Sequence, residues 1–196
     1  VVVAPGPYLG STDIENTDQQ TSYANKDPLT ATGWGDVRAD KTNFVVQTFT
    51  LNRDSDGKAV SASISDNPVD WATKGGWRVD LPQAGERVSS NMAMQFTTLA
   101  FATTIPTGNA CDSGGSSWIY YLDVSNGGVI TNNPAGTLFN SNSLIVGLSW
   151  VQTSTGDSKI IVQGSNGERS TATPQVDASG KGTGGMQRTS WRELVD

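Results

Sequence analysis

Most apolar residues of this chain fall in short runs that alternate with polar residues, and this alternation is the period of a β-strand. The run Asn43–Leu51 is rich in β-branched and aromatic side chains, and Ala59–Ile64 alternates more clearly. Asp56 and Gly57 lie between them, and both residue types tolerate the positive φ that a tight turn requires. We therefore predict a β-hairpin over this segment.

The same signals predict two further hairpins. In the first, Ser117–Asp123 pairs with Val129–Thr131 across the turn Ser125–Gly128. In the second, Ser158–Gln163 pairs with Glu168–Thr173 across Asn166 and Gly167. Single strands are predicted over Gly76–Leu81, Met92–Thr104 and Ser143–Val151. Short helices are predicted around Asp18–Tyr23 and over the last few residues.

Regularly spaced strands, separated by loops rich in Gly, Asn, Ser and Pro, predict an all-β fold, either a sandwich or a β-propeller. A propeller blade takes about 40–45 residues, so this length gives about three or four blades, fewer than most closed rings need. An open arc of blades exposes unpaired strand edges, which proteins normally avoid. We therefore expect these strands to need the rest of their own ring or a covering partner.

Composition narrows the function classes. The chain has 196 residues with 22 Gly and 35% hydrophobic residues, which suits short strands and turns. Asp plus Glu number 19 against 13 Lys plus Arg, a formal net charge of -6, so no nucleic-acid partner is expected. No apolar run is long enough to span a bilayer. Val1-Val2-Val3-Ala4 reads as part of a buried strand and not as a signal sequence, which indicates a start inside a larger protein.

The residues that commonly carry catalysis are scarce. The chain contains no histidine, which removes Ser-His-Asp and Cys-His catalysis and leaves Cys111 as the only strong zinc ligand. Asp112-Ser113-Gly114-Gly115 copies the tetrapeptide around a trypsin-like nucleophile, but without a histidine base we interpret it as a flexible turn. As an odd cysteine, Cys111 pairs outside this chain or stays a buried free thiol.

Two pairs of carboxylates are close in sequence, as a glycosidase hypothesis would require. They are Asp66 with Asp70, and Asp80 with Glu86. Sequence spacing does not set the separation of two carboxyl groups in space, so neither pair is diagnostic. We predict no catalytic residue, and we expect the chain not to be an enzyme.

Asn52–Gly57 resembles the first half of a calcium loop, with oxygen side chains at alternate positions and a glycine after the third. The twelfth position of such a loop falls on Ser63, where an EF-hand requires a bidentate glutamate. A hairpin turn explains Asp54 and Asp56 equally well, so whether these carboxylates bind calcium stays open. No metal site and no cofactor site is predicted in this chain.

The six tryptophans mostly lie within strand patterns, which favours packing in the core. One or two of them, exposed at an edge, would suit a binding surface for a sugar or a peptide. They are Trp34, Trp71, Trp77, Trp118, Trp150 and Trp191.

Four segments, in order along the chain, carry a family resemblance. The first is Tyr8–Ile14 with Thr17–Tyr23 and Lys26-Asp27, and the second is Lys74–Pro82 with Gly85–Val88. The third is Phe101–Pro106 with Cys111 and Gly114–Tyr120, and the fourth is Arg188–Leu194. Together they resemble the C-terminal region of the PilC/PilY family of type IV pilus tip-associated proteins.

The sequence departs from the family pattern at two places. Gly6-Pro7 stands where the family usually has Gly-Arg before Tyr8-Leu9-Gly10. The complete calcium loop of the family's propellers is not matched, so no calcium ligand is carried over. The resemblance implies calcium elsewhere in the full-length protein.

The resemblance implies that residues 1–196 are the C-terminal portion of a β-propeller, whose remainder, like the N-terminal adhesive region, lies outside this chain. It implies a protein exported through the periplasm and outer membrane to the pilus tip at the cell surface. There it would promote pilus assembly, surface attachment and twitching motility. Its implied partners are minor and major pilins, the remainder of its own propeller, and host or abiotic surfaces.

Two alternatives of other classes are kept. One is a quinoprotein-like propeller enzyme, since Trp118–Gly128 loosely resembles the strand-turn pattern of that group. The other is an extracellular carbohydrate-binding module, which the tryptophans would serve.

Overall fold

A computed structural model describes residues 2–4, 6, 15–29, 33–40, 42–106, 115–130, 134–139, 143–153 and 157–174. Every regular element that lies wholly within these ranges is a β-strand, and the strands form three sheets. The prediction of an all-β fold is confirmed. No helix in the described ranges has the length and apolar character that crossing a bilayer requires.

The first sheet has four strands in the order β1-β2-β6-β3. They are β1 Val2–Val3, β2 Thr21–Asn25, β6 Gly76–Asp80 and β3 Phe44–Gln47. β3 runs parallel to β6, whereas the other pairs are antiparallel. Because β3 comes last in this order, it is an edge strand among the described strands.

The second sheet has seven strands, with the order β4-β5-β11-β10-β9-β7 and β8 also paired to β9. They are β4 Phe49–Arg53, β5 Ala59–Ile64, β7 Arg87–Val88, β8 Ala93–Gln95, β9 Thr98–Pro106, β10 Gly115–Asp123 and β11 Gly136–Phe139. The third sheet is the meander β12 Ile145–Gln152, β13 Ser158–Gly164 and β14 Arg169–Ala172.

The second sheet is the middle of three layers, because both faces of β9 and β10 are covered. One core joins its first face to the first sheet through Ala24, Trp77, Val79, Phe101, Trp118, Tyr120 and Leu122. The other core joins its second face to the third sheet through Ala100, Ala102, Ile119, Tyr121, Ile145, Ile160 and Val162. Full burial of one large apolar side chain contributes about 1.5–3 kcal/mol, so these two interfaces dominate the stability of the layers.

The three sheets do not close on one another, and each ends in strands whose outer edge no other described strand pairs. This open arrangement is consistent with part of a β-propeller. The middle sheet is wider than the four strands of a usual blade. Part of that width arises because β7 and β8 pair with successive halves of β9 along one edge.

Two of the three predicted hairpins are confirmed. β4 pairs with β5 across Asp56 and Gly57, and β13 pairs with β14 across Asn166 and Gly167. The hairpin predicted after Ser117–Asp123 is half right. Its turn forms, since Gly127 N donates to Asp123 O at 2.7 Å. However, residues 128–130 are not a strand, and β10 pairs instead with β11.

Three other predictions are corrected. The helix expected around Asp18–Tyr23 is wrong, because Thr21–Asn25 pairs with β6 and tertiary pairing overrides a weak local signal. Met92–Thr104 is two strands joined at Phe96 and Thr97, with Phe96 at φ 52. Asn43–Leu51 is also two strands, β3 and β4, and these lie in different sheets.

Candidate functional site

The most distinctive surface feature lies where the chain crosses from the first sheet to the second. β3 ends at Gln47 and β4 begins at Phe49, so Thr48 alone makes the crossing. Both strands are edge strands among the described strands. The crossing therefore brings two sheet edges together at one place.

Buried hydrogen bonds hold this crossing in place. The side chain of Gln47 is 1% exposed, and its Nε2 donates to the carbonyls of Asn67 at 2.7 Å and Asn126 at 2.8 Å. Its Oε1 accepts from Ser65 Oγ at 2.6 Å and from Asn67 N at 3.1 Å. Thr48 N donates to Ser65 Oγ at 2.9 Å, and Thr48 O accepts from Ser65 N at 3.1 Å. A buried side-chain amide with all these hydrogen bonds holds the chain in a single conformation at the crossing.

A groove of about 450 Å³ opens beside the crossing, a volume within the ~300–1,000 Å³ range of ligand pockets. Its lining combines apolar side chains, two amides and one charge of each sign. The lining residues are Gln19, Val46, Gln47, Thr48, Phe49, Leu51, Arg53, Asp80 and Pro82. Phe49 is anchored on the core side by Tyr120, with ring centroids 4.8 Å apart. The groove is thus a mixed surface, in which apolar side chains lie beside polar and charged ones.

The two charged side chains of the groove, Asp80 and Arg53, differ in the partners that they already have within the protein. Asp80 Oδ1 accepts a hydrogen bond from Thr21 Oγ1 at 2.5 Å, and Asp80 Oδ2 lies 3.8 Å from the buried Arg78 guanidinium. Arg53 is exposed, and its Nη1 donates at 2.8 Å to the neutral carbonyl of Gly57. The negative charge is therefore partly offset, whereas the Arg53 guanidinium has no carboxylate within reach among the described residues.

A second cluster of polar groups lies inside the protein. Glu86 is fully buried, and its Oε1 accepts from Thr103 Oγ1 at 2.5 Å and Tyr120 Oη at 2.8 Å. Its Oε2 accepts from Gln83 N at 3.2 Å. Burial raises the pKa of Glu86, and burial together with the nearby carboxylate raises the pKa of Tyr120. This cluster ties the loop after β6 to the middle sheet, and it does not reach solvent.

The structure makes the calcium half-motif a hairpin turn. Asp54 Oδ1 accepts from Asp56 N at 3.1 Å and from Lys58 N at 2.9 Å, so this carboxylate caps the turn. Among the described residues, no three His, Cys, Asp or Glu side chains are grouped so as to hold a metal ion. The hairpin turn explains both carboxylates, and whether Asp54 and Asp56 also bind calcium stays open.

The members of each carboxylate pair have different surroundings. Asp66 Oδ1 accepts from Asn126 Nδ2 at 2.8 Å, whereas Asp70 caps its own turn through Ala72 N and Thr73 Oγ1. These local hydrogen bonds lower the pKa of Asp70. The second pair is divided between two environments, since Asp80 lines the groove and Glu86 is buried on Tyr120.

The tryptophans divide as expected between core and surface. Trp77 and Trp118 are buried in the first core, and Trp34 packs edge-on against Phe44 at a centroid distance of 5.6 Å. Trp71 is 38% exposed, with its Nε1 donating to Ser125 O at 2.8 Å. Trp150 lies against the second core. Trp191 lies outside the described residues.

The family motifs that the structure describes build much of the core and one side of the groove, which they line with Gln19, Asp80 and Pro82. Gly76 allows a close strand approach, because a Cβ there would lie 1.9 Å from Ala24 O. Trp77 follows it at the centre of the first core, and β9 and β10 carry the third motif. Tyr8–Ile14, Cys111, Asp112–Gly114 and Arg188–Leu194 lie outside the described residues.

Sequence reasoning missed the groove. Val45, Phe49 and Leu51 pack against the first core, and they lie an even number of residues apart on either side of Thr48. The alternation of apolar and polar residues therefore continues through Thr48, and the sequence pattern does not show that the chain changes sheet there. A buried position occupied by the polar Gln47 was the one signal available.

Two curated proteins are similar to this chain. One is the "Type IV pilus biogenesis factor PilY1 homolog" of Xylella fastidiosa, 31% identical over 130 residues, covering 63% of this chain and 8% of that protein. The other is the "Type IV pilus biogenesis factor PilY1" of Pseudomonas aeruginosa, 31% identical over 151 residues, covering 65% of this chain and 13% of that protein. The matches thus span only a small part of the length of these relatives. No family model matches the chain, and no solved structure gives a significant match.

The predicted resemblance and the two matches agree. The described motifs supply the core of an open, layered β structure, and the resemblance that they carry is to the same family as the two matches. The chain is related to the PilY1 family of type IV pilus biogenesis factors.

Proposed function

We propose that this chain is part of a type IV pilus biogenesis factor and serves as a β-sheet platform that contacts pilins. The observation that carries the proposal is the pair of 31% matches to factors of that name. The layered core supports it, because a rigid platform with open sheet edges offers backbone hydrogen bonds to another polypeptide. Function in this scheme comes from interfaces and involves no bond chemistry.

The proposal extends to location and role. The protein lies outside the cell at the pilus tip, after export through the periplasm and outer membrane. It promotes pilus assembly by contacting minor and major pilins, and it contributes to surface attachment and twitching motility. The remainder of its own propeller covers some of the open sheet edges and leaves others to partners, and calcium, where needed, binds elsewhere in the full-length protein.

A pull-down tests this role. The full chain, immobilised, is incubated with purified minor pilins from the bacterium that encodes it, with calcium and with a chelator. We expect retention of at least one minor pilin in both conditions, because no calcium ligand is assigned to this chain. Failure to retain any pilin, with the chain shown to be folded by circular dichroism, would remove the support for the role.

Absence of catalysis is part of the proposal and has its own test. A quinoprotein-like enzyme holds a quinone that absorbs visible light, whereas a platform needs no cofactor. We expect the purified protein, reconstituted with quinone and calcium, to show no stoichiometric absorbance after gel filtration. A retained stoichiometric quinone would establish the enzyme alternative instead.

A further inference from the structure

We propose that the groove beside the β3–β4 crossing binds an extended polypeptide segment that carries an acidic side chain and pairs with the free edge of β4. The proposal deepens the proposed platform function by naming the surface and the chemistry of its partner. The proposal is argued from the geometry of the groove, and it does not depend on which protein supplies the segment.

The edge of β4 is suited to pairing. β4 is bonded to β5 along one side, and no described strand lies along the other. Its five residues offer about 17 Å of backbone at ~3.4 Å per residue. The register shift near Arg53 skips Val60 of β5, so β4 itself remains regular. Strand addition at such an edge supplies main-chain hydrogen bonds, and side-chain pockets then supply specificity.

The side chains of β4 that face the groove define what the partner must offer. Phe49, Leu51 and Arg53 alternate along one face of β4, and all three line the groove. Residues two apart in a paired strand point to the same face. The segment therefore needs an apolar side chain opposite Leu51 and, two positions away, a side chain suited to Arg53.

Charge complementarity selects an acidic side chain for that second position. The Arg53 guanidinium holds only the carbonyl of Gly57 in the described structure, so it can accept a carboxylate without losing another charge partner. Asp80 across the groove is already held by Thr21 and lies near Arg78, so a basic side chain would find a carboxylate that is partly neutralised. Opposite charges placed directly across two strands attract, and like charges repel.

Two blocked peptides test the proposal on the full chain by NMR titration. The first, Thr-Glu-Thr-Val-Thr, places a glutamate opposite Arg53 and a valine opposite Leu51 when it pairs antiparallel to β4, and the second replaces the glutamate by lysine. We expect the glutamate peptide to shift the backbone amide signals of Phe49–Arg53 and to bind about five-fold more tightly than the lysine peptide. Arg53→Glu is expected to reverse this preference. The matched control is Arg169→Glu on the exposed strand β14, which is expected to leave it unchanged.

Equal binding of both peptides, or shifts confined to residues away from β4, would overturn the proposal. Loss of the preference in Arg169→Glu as well would do the same, since it would assign the effect to net charge. The titration contains no pilin, so its failure is distinguishable from failure of the pilin pull-down. Peptide binding without pilin retention would leave the groove standing and remove the pilus role.

Discussion

Gly127 is a residue at which backbone conformation and surroundings both exclude a side chain. Its φ is +72, and an added Cβ would lie 2.4 Å from Cδ2 of the buried Trp77. We expect Gly127→Ala to lower the free energy of unfolding by about 2–4 kcal/mol, because backbone strain adds to overpacking of the indole. Urea unfolding followed by tryptophan fluorescence measures the loss.

The matched control for this change is Gly57→Ala. Gly57 has a similar φ of +78, but no heavy atom lies within 4 Å of its ideal Cβ. Only the strain of a positive φ then remains, and we expect the free energy of unfolding to fall by about 1 kcal/mol. Equal losses in the two variants would show that contact with Trp77 contributes nothing.

Glu86 makes stability depend on pH. Burial raises its pKa in the folded state, so folding favours the protonated form. A group with a raised folded pKa contributes stability that is fully present below its unfolded pKa and is lost as pH rises through the folded pKa. We therefore expect the stability of the wild type relative to Glu86→Gln to fall as the pH rises above about 4.5. Urea unfolding of both proteins from pH 4 to pH 8 measures this trend.

Two further variants separate charge from hydrogen bonding at this site. Glu86→Ala leaves the buried hydroxyls of Thr103 and Tyr120 without their acceptor, so a loss of about 2–4 kcal/mol is expected at all pH values. Glu168→Gln, on the exposed β13–β14 turn, is the control for adding an amide in place of a carboxyl. A difference between wild type and Glu86→Gln that did not vary with pH would contradict the argument.

At the scale of elements, the sequence predicted strands well where local chemistry decides them. Asp56-Gly57 and Asn166-Gly167 mark turns whatever the surroundings, so both hairpins were predictable. β10 was found as a strand, but its partner β11 was not, because the choice of partner rests on the packing of Trp118 and Tyr120. The groove was not predictable for the same reason, since its walls come from two sheets.

The middle sheet should be the most persistent element. β9 and β10 are paired along nine residues and covered on both faces, whereas β14 is an exposed edge strand. We expect amide protons of Leu99–Ala102 and Ile119–Leu122 to exchange at least about 100-fold more slowly than those of Arg169–Ala172, because opening the centre requires more of the structure to unfold. Hydrogen exchange with mass spectrometry measures the ratio. Uniform exchange across the three sheets would contradict the layered account.

At the scale of the whole molecule, the family motifs and the groove overlap only in part. The recognisable motifs lie in buried strands such as β6 and β9, which carry the stack of layers. One wall of the groove, within residues 46–53, lies in the stretch between residues 28 and 70, which carries no family signature, whereas Gln19, Asp80 and Pro82 on the other side belong to the first two motifs. A partner therefore has to be assigned from the chemistry of the groove as a whole and not from the motifs alone.

The open edges make a last prediction about the isolated chain. β14 presents exposed Arg169 and Thr171, and no described strand pairs with its outer side, so two copies can pair there. The net charge of -6 opposes this pairing at low salt, and screening by added salt removes the opposition. Light scattering is expected to show larger species at high protein concentration and high salt.

A lysine on an edge strand blocks such pairing, so Thr171→Lys is expected to remain monomeric. Ser55→Lys adds the same charge on the exposed β4–β5 turn and is expected to associate like the wild type. If Thr171→Lys associated like the wild type, or if both variants remained monomeric, β14 would not be the site of association.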